Sequence, residues 1–237
     1  MKDSEFTSFL IYCIIKKIYN GGGGVDELIA VVVQWVNRLD KRVTIGISGH
    51  GAAGKTTFST QLIQRLGQEV AYLNADPYII PSDIRRHTQI DYEFEGKRYR
   101  SKMTACHPSA HHLLSLERDI RMLRDGLDLY TMDVPYLKNE HLTPKKVTIV
   151  EGMSAAFSDP ALFDLKIFLY TDDDTELARR TKRDIAERGA DADFLKRSHD
   201  QRRTQYKLFM HPYSDRADIL VKTSRAGIEV ERAVFPN

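Results

Sequence analysis

Eight consecutive residues, Gly49-His50-Gly51-Ala52-Ala53-Gly54-Lys55-Thr56, satisfy the spacing GxxxxGK[ST]. Glycines in such a run let successive backbone N–H groups curl around phosphate oxygens, the helix that follows adds partial positive charge, and Lys55 supplies a mobile cation. Thr56 then offers its hydroxyl to Mg²⁺. Two carboxylates follow apolar runs and suit the same chemistry. Asp76 comes soon after Val70–Leu73 and is placed to act on an acceptor hydroxyl, although an aspartate before Pro77 also suits a simple turn. Glu151 directly follows Val147–Val150 and has the character of a ligand to Mg²⁺ or water. In the stretch Arg179 to Gly189, Arg179 and Arg183 fall one helical turn apart. Arginines brought in by a closing lid would neutralise charge spreading over a transferred phosphoryl group and exclude water. The bland alternative is a solvated helix laced by Asp and Glu.

These side chains need elements to carry them. Val25 to Leu39 has apolar residues at helical spacing, and Val43 to Ile47 reads as a β-branched strand feeding the loop. Further strands are expected at Val70–Leu73, Val147–Val150, Lys166–Tyr170 and Ile219–Val221, with helices at Phe58–Leu66, His111–Arg124 and Thr175–Glu187. The alternation predicts an α/β fold with a mainly parallel sheet covered by helices. Ligands in such sheets sit beyond the carboxyl ends of the strands, where Asp76, Glu151 and the glycine-rich loop all fall. Pro77 to Met103 is polar, aromatic and without clear period, so it is expected to be a functional or flexible loop region.

The 237 residues suit one large domain or a domain with appended pieces, and 42% hydrophobic against 29% charged residues argues against wholesale disorder. The net charge of +2 gives no reason to expect nucleic-acid binding, so any phosphate site is local. Cys13 and Cys106 have no metal-ligand spacing, which suggests a reduced, cytoplasmic setting. The apolar run Phe9–Ile15 stops at Lys16, far short of the roughly 20 residues of a membrane span, and Asp3 and Glu5 disfavour a signal peptide. Gly21 to Gly24 suggest a hinge, giving a flexible arm over 1–24 and a folded unit over 25–237. The apolar residues of the arm could dock on a membrane surface or a partner, and homo-oligomerisation stays open. No NKxD tetrapeptide of the GTPases and no LSGGQ-like stretch of transporter ATPases is present.

Taken together, Ile47-Ser48-Gly49 to Thr56, Asp76-Pro77-Tyr78, Cys106-His107-Pro108-Ser109-Ala110, Val150-Glu151-Gly152 and the RRxxRDxxERG pattern from Arg179 resemble the uridine kinase and phosphoribulokinase family of phosphate-loop kinases. The resemblance runs from about Arg42 to Thr223. It implies a P-loop NTPase-type three-layer fold with a helical lid at about 172–190, and a kinase that moves the γ-phosphate of ATP to the hydroxyl of a small molecule. Carried over by position, Gly49, Gly51, Ala52, Ala53, Gly54, Lys55, Thr56 and Thr57 would hold ATP. Thr56, Asp76 and Glu151 would serve Mg²⁺, and Asp76 would be the general base, assisted by Lys55 and Arg183. Arg179, Arg180 and Arg188 would complete the lid.

On the acceptor side the chain departs from the family pattern. Tyr78 keeps the first of two expected aromatic residues and Ile79 replaces the second. His111 and His112 follow His107-Pro108-Ser109-Ala110 where an aromatic residue and an aspartate are usual, and Leu129–Asp133 retains Asp133 without the neighbouring tyrosine. Candidate acceptor contacts are therefore Tyr78, His107, His111, His112 and Asp133, although a histidine pair near a helix start is more often a surface feature. Arg202, Arg203 and Tyr206, near the last helix, are weaker candidates to reach the site. The expected acceptor is a nucleoside, uridine or cytidine first. A sugar phosphate or vitamin precursor is the alternative, and a non-catalytic ATP-binding regulator the third reading.

Overall fold

The computed structural model describes residues 24–188 and 192–236. Helix α1 (Val25–Asn37) buries Leu28, Ile29, Val31, Val32, Trp35 and Val36 on one face, and the Glu27 carboxylate accepts the Gly24 N–H at its start. There follow β1 (Val43–Gly49), α2 (Lys55–Leu66), β2 (Val70–Asn74), a short α3 (Ser82–Arg85), β3 (Gln89–Phe94), β4 (Lys97–Lys102) and α4 (Leu113–Asp125). A two-residue pair, β5 (Leu129–Tyr130) and β6 (His141–Leu142), precedes β7 (Val147–Glu151) and β8 (Leu165–Thr171). The chain ends with α5 (Asp173–Arg188), α6 (Ala192–Gln205), β9 (Ile219–Ser224) and β10 (Gly227–Ala233). The expected arm lies outside the described residues except for Gly24, as do positions 189–191 of the expected lid. No helix among the described residues is long and apolar enough to cross a membrane.

The main sheet has the order β10-β9-β8-β1-β7-β2, with every pair parallel except the antiparallel edge β10–β9. All seven residues of β1 are buried, the continuous pattern of a strand covered on both faces. Alternate residues supply two cores. On one face Ile45, Ile47, Ile149 and Ile167 pack under α1 and α2 through Val32, Val36, Phe58 and Leu62. On the other, Leu73 and Val150 pack under α4 through Leu116, Ile120 and Leu123. Each such aliphatic side chain contributes about 1.5–3 kcal/mol by leaving water, which fixes the strand register and hence the position of the strand ends. The Trp35 indole donates to the Pro236 carbonyl at 2.9 Å and holds the C-terminal segment against α1.

The expectation of an aperiodic loop over Pro77–Met103 is corrected. Strands β3 and β4 form an antiparallel hairpin in which Asp91 faces Arg100 and Glu93 faces Arg98. Glu95 and Gly96, with φ of 50° and 72°, make the tight turn between them. Tyr92 and Tyr99 stack across the strands with centroids 5.3 Å apart. In β3 the exposed Gln89, Asp91 and Glu93 alternate with the more buried Ile90, Tyr92 and Phe94, the period-2 pattern of a half-buried strand, whereas β4 carries Tyr99 as its one apolar side chain and gives no such signal. Gln205 at the end of α6 anchors the hairpin base: its amide donates to Ser101 Oγ and the Lys102 carbonyl, and its oxygen accepts from Thr104.

Candidate active site

The glycine-rich loop leaves β1 and enters α2 at the carboxyl edge of the sheet. Gly49 has φ +133°, and a Cβ there would lie 1.8 Å from the Leu169 carbonyl oxygen of β8, so no other residue fits. Ala52 and Gly54 also have positive φ, 65° and 92°. Such left-handed residues turn successive amides into one concavity, an arrangement that binds anions. Lys55 is buried and its ammonium donates to the His50 carbonyl at 3.1 Å. The outside of the loop is braced from two elements. Arg179 of α5 donates to the Ala52 carbonyl and to Thr223 Oγ1 of β9, and Thr223 donates to the Ala53 carbonyl.

Register places Glu151 between Ile47 of β1 and Asn74 of β2. Its buried carboxylate accepts from Thr56 Oγ1 at 3.2 Å and from the Tyr72 hydroxyl at 2.9 Å. Burial, then the Glu151 charge, push the Tyr72 phenol well above its ordinary value, so it is a permanent donor to that carboxylate. Asp76 begins a single helical turn, Asp76–Tyr78, and is exposed. Its amide is held by Asn74 Oδ1 at 2.9 Å and its carbonyl accepts from the Tyr136 hydroxyl at 3.1 Å. After burial, the Asp76 charge is the next cause raising the Tyr136 phenol, and it also contributes at Tyr72. Asp76 therefore lies within electrostatic reach of the hydroxyl that binds Glu151.

Oxygen donors of this kind suit Mg²⁺, which is usually held by one or two carboxylates together with substrate phosphates. The described residues contain no group of three or more His, Cys, Asp and Glu able to hold a metal by themselves, and Mg²⁺ in such a setting requires none.

Two of the expected acceptor contacts are corrected. Tyr78 is fully buried, its hydroxyl donating to Asp119 of α4. His111 is also buried: Nδ1 pairs with Ser154 Oγ at 2.8 Å, Nε2 with the Ala105 carbonyl at 2.9 Å, and its ring packs on Phe157. Tyr78 packs with Leu73 of β2 and Leu116 and Ile120 of α4, and the polar atoms of both side chains are taken by protein groups. His107 accepts the Ser109 amide at Nδ1 and sets its ring edge against Phe209. His112 and Asp133 are exposed.

Of the lid arginines, Arg179 is turned onto the loop, Arg180 is buried with Nη1 3.5 Å from Glu176, and Arg183 is half-buried on α5. The Arg188 side chain lies outside the described residues. Sequence reasoning missed Tyr72 and Tyr136. Tyr72 shares its strand face with Val70 and Asn74, a period-2 signal pointing at the site. Tyr136 sits in a connecting segment with no periodic signal.

The fold and this constellation define a phosphate-loop phosphotransferase, an ATP-dependent kinase for a hydroxyl acceptor. The chain belongs to the phosphoribulokinase / uridine kinase family, whose model matches residues 44–227. It is 36% identical over 202 residues to the uridine kinase of Ligilactobacillus salivarius (strain UCC118), covering 78% of this chain and 87% of that protein. It is 33% identical over 206 residues to the uridine kinase of Serratia proteamaculans (strain 568), covering 81% and 93%. The fold is similar to phosphoribulokinase from Rhodobacter spheroides, with TM-score 0.56 and 18% identity over 77% of this chain and 70% of that one. It is likewise similar to D-glycerate 3-kinase from Cryptococcus neoformans var. grubii, with TM-score 0.56 and 13% identity over 88% and 100%.

Proposed function

We propose that the protein phosphorylates a nucleoside, uridine or cytidine, with ATP as donor and Mg²⁺ as cofactor, in the cytoplasm. The observation that carries this reading is the meeting of Thr56, Tyr72 and Glu151 at one sheet edge, with Asp76 exposed beside them. The two uridine kinase relatives support the choice of acceptor. Asp76 takes the proton of the acceptor hydroxyl, whose oxygen bonds to the γ-phosphorus as the bond to the ADP oxygen breaks. Lys55 and the loop amides hold the phosphates in line, and Arg183 adds positive charge from α5. Thr56 and Glu151, with Asp76 nearby, would hold Mg²⁺, which when bound neutralises charge on the phosphate oxygens. Cys106 is buried with its thiol pushed up to about 12 by that burial, an inert side chain that suits a reducing compartment.

A second reading, a kinase of another small hydroxylated metabolite, draws on the inward turn of Tyr78, which the family pattern retains, and of His111, which stands where that pattern has an aromatic residue. One assay separates the readings. ADP release is measured with Mg²⁺ and ATP against nucleosides, sugar phosphates and vitamin precursors, with Asp76→Asn and Lys55→Ala as controls. Turnover of uridine or cytidine that falls about 10²–10⁴-fold in Asp76→Asn supports the nucleoside kinase. Turnover confined to another acceptor supports the second reading. ATP binding without turnover of any acceptor defeats both.

A further inference from the structure

A phosphate loop binds through its backbone, so its second residue needs no side chain for that task, yet here it is a histidine only 1% exposed. The imidazole points away from the cradle, toward the root of the lid. Nε2 accepts the Thr171 N–H at 2.9 Å, where β8 ends just before α5. That bond puts the ring proton on Nδ1, which donates to the Gly51 carbonyl at 2.8 Å and faces Glu176 Oε2 at 3.5 Å. Glu176 lies in the first turn of α5. Its carboxylate takes Arg203 Nη1 from α6 at 2.7 Å, and the same Nη1 reaches the Thr171 carbonyl at 3.3 Å. Arg203 also pairs with Asp173, the first residue of α5. Tyr206 closes the cluster, edge-on to the imidazole at 4.5 Å and under the Arg203 guanidinium at 4.7 Å.

We propose that His50 is a positioning residue that latches the phosphate loop to the root of α5, through Thr171 and Glu176, and to α6, through Arg203. The main chain of the same residue makes the link to ATP. Its carbonyl holds the Lys55 ammonium at 3.1 Å, so a shift of residue 50 moves the lysine as well as the loop amides. The two ends of His50 thus join the lid root to the charge that meets the phosphates. The proposal rests on the kinase reading only in that the loop binds ATP, whichever acceptor is used.

A buried histidine acting as filler would be replaced by any ring of its size, whereas a latch requires the acceptor at Nε2. His50→Phe keeps the ring, and His50→Gln restores an acceptor near the Nε2 position. ATP affinity is read by calorimetric titration without acceptor, beside KM for ATP and for acceptor and the thermal midpoint of each variant. His50→Phe is expected to weaken ATP binding and raise KM for ATP about tenfold, the worth of one net hydrogen bond, and His50→Gln to recover most of it. KM for the acceptor stays within about twofold of wild type. Arg203→Met is expected to weaken ATP similarly, and the double variant to lose less than the product of the two single losses. If His50→Phe unfolds, the pair Arg203→Met and Arg203→Lys decides from the other side of the latch. Wild-type ATP affinity in His50→Phe or Arg203→Met, equal loss in His50→Gln and His50→Phe, or multiplicative losses in the double variant would overturn the latch. Since ATP affinity is measured without acceptor, failure of the nucleoside assignment leaves this test intact.

Discussion

Thr56 donates its hydroxyl to the Glu151 carboxylate at 3.2 Å across 95 residues of sequence, joining the last residue of the phosphate-loop motif to the last residue of β7. The pair exists because β1 and β7 are neighbouring parallel strands whose ends are aligned by buried aliphatic residues. Gly152 has φ +151°, and a Cβ there would lie 2.8 Å from the Cβ of Ala75, so only glycine lets β7 turn away beside β2.

Replacing Glu151 by Gln keeps an acceptor for Thr56 and Tyr72 but removes the negative charge. The Mg²⁺ concentration for half-maximal activity should rise about 10–100-fold, with the thermal midpoint little changed. A Mg²⁺ titration of initial rates checks this, and an unchanged requirement would detach Glu151 from the metal.

The Tyr136 hydroxyl holds the carbonyl of Asp76 from an exposed segment, so its loss should loosen the turn that presents the carboxylate. Tyr136→Phe is expected to lower kcat/KM for the acceptor about 3–10-fold, the effect of one modest hydrogen bond, and to leave ATP affinity unchanged. Steady-state kinetics with each substrate varied in turn would show whether the loss falls on the acceptor side alone.

Gly49→Ala forces a Cβ toward the Leu169 carbonyl at a φ that L-residues rarely adopt. Backbone strain of this kind costs about 1–3 kcal/mol, and here the loop must also shift off β8. The variant should unfold at lower urea concentration and bind ATP at least about tenfold more weakly, as read by denaturation and calorimetric titration.

His50 and His111 are buried as neutral rings, each held down to about 4 chiefly by desolvation, against an ordinary value of 6.5. With the folded value depressed, the unfolded chain binds more protons between about pH 4 and 6.5, so stability is full above that window and is lost as pH falls through it. From about pH 7.5 to about pH 5.5 each histidine should cost about 1 kcal/mol of unfolding free energy. Urea unfolding at the two pH values checks this, and His111→Gln should make the decline shallower by about 1 kcal/mol, the share of that one ring.

Much of the sheet was legible because buried parallel strands write themselves as apolar runs, and the helices between them as 3.6-residue periods. The phosphate loop was legible because its function imposes glycine and lysine at fixed spacing, and Glu151 because it ends such a run. Hairpin β3–β4 was legible only in part: Ile90, Tyr92 and Phe94 alternate with Gln89, Asp91 and Glu93 in β3, but β4 has only Tyr99 among charged and polar residues and leaves no second strand signal to pair with it. The fate of Tyr78 and His111 was not legible, since their polar atoms are taken by Asp119, Ser154 and Ala105 from other parts of the chain.

By itself the sequence determined the α/β order of elements, the loop that cradles phosphate and the strand ends at which carboxylates appear, because each is a local pattern of residue type and spacing. Only the tertiary structure decided which side chains meet. Strand order brought Thr56 and Tyr72 to Glu151, and the packing of α5 and α6 against the loop brought Arg203 to His50 across 153 residues. Those encounters depend on which strands become neighbours and which faces become buried, and burial is a property of the whole chain.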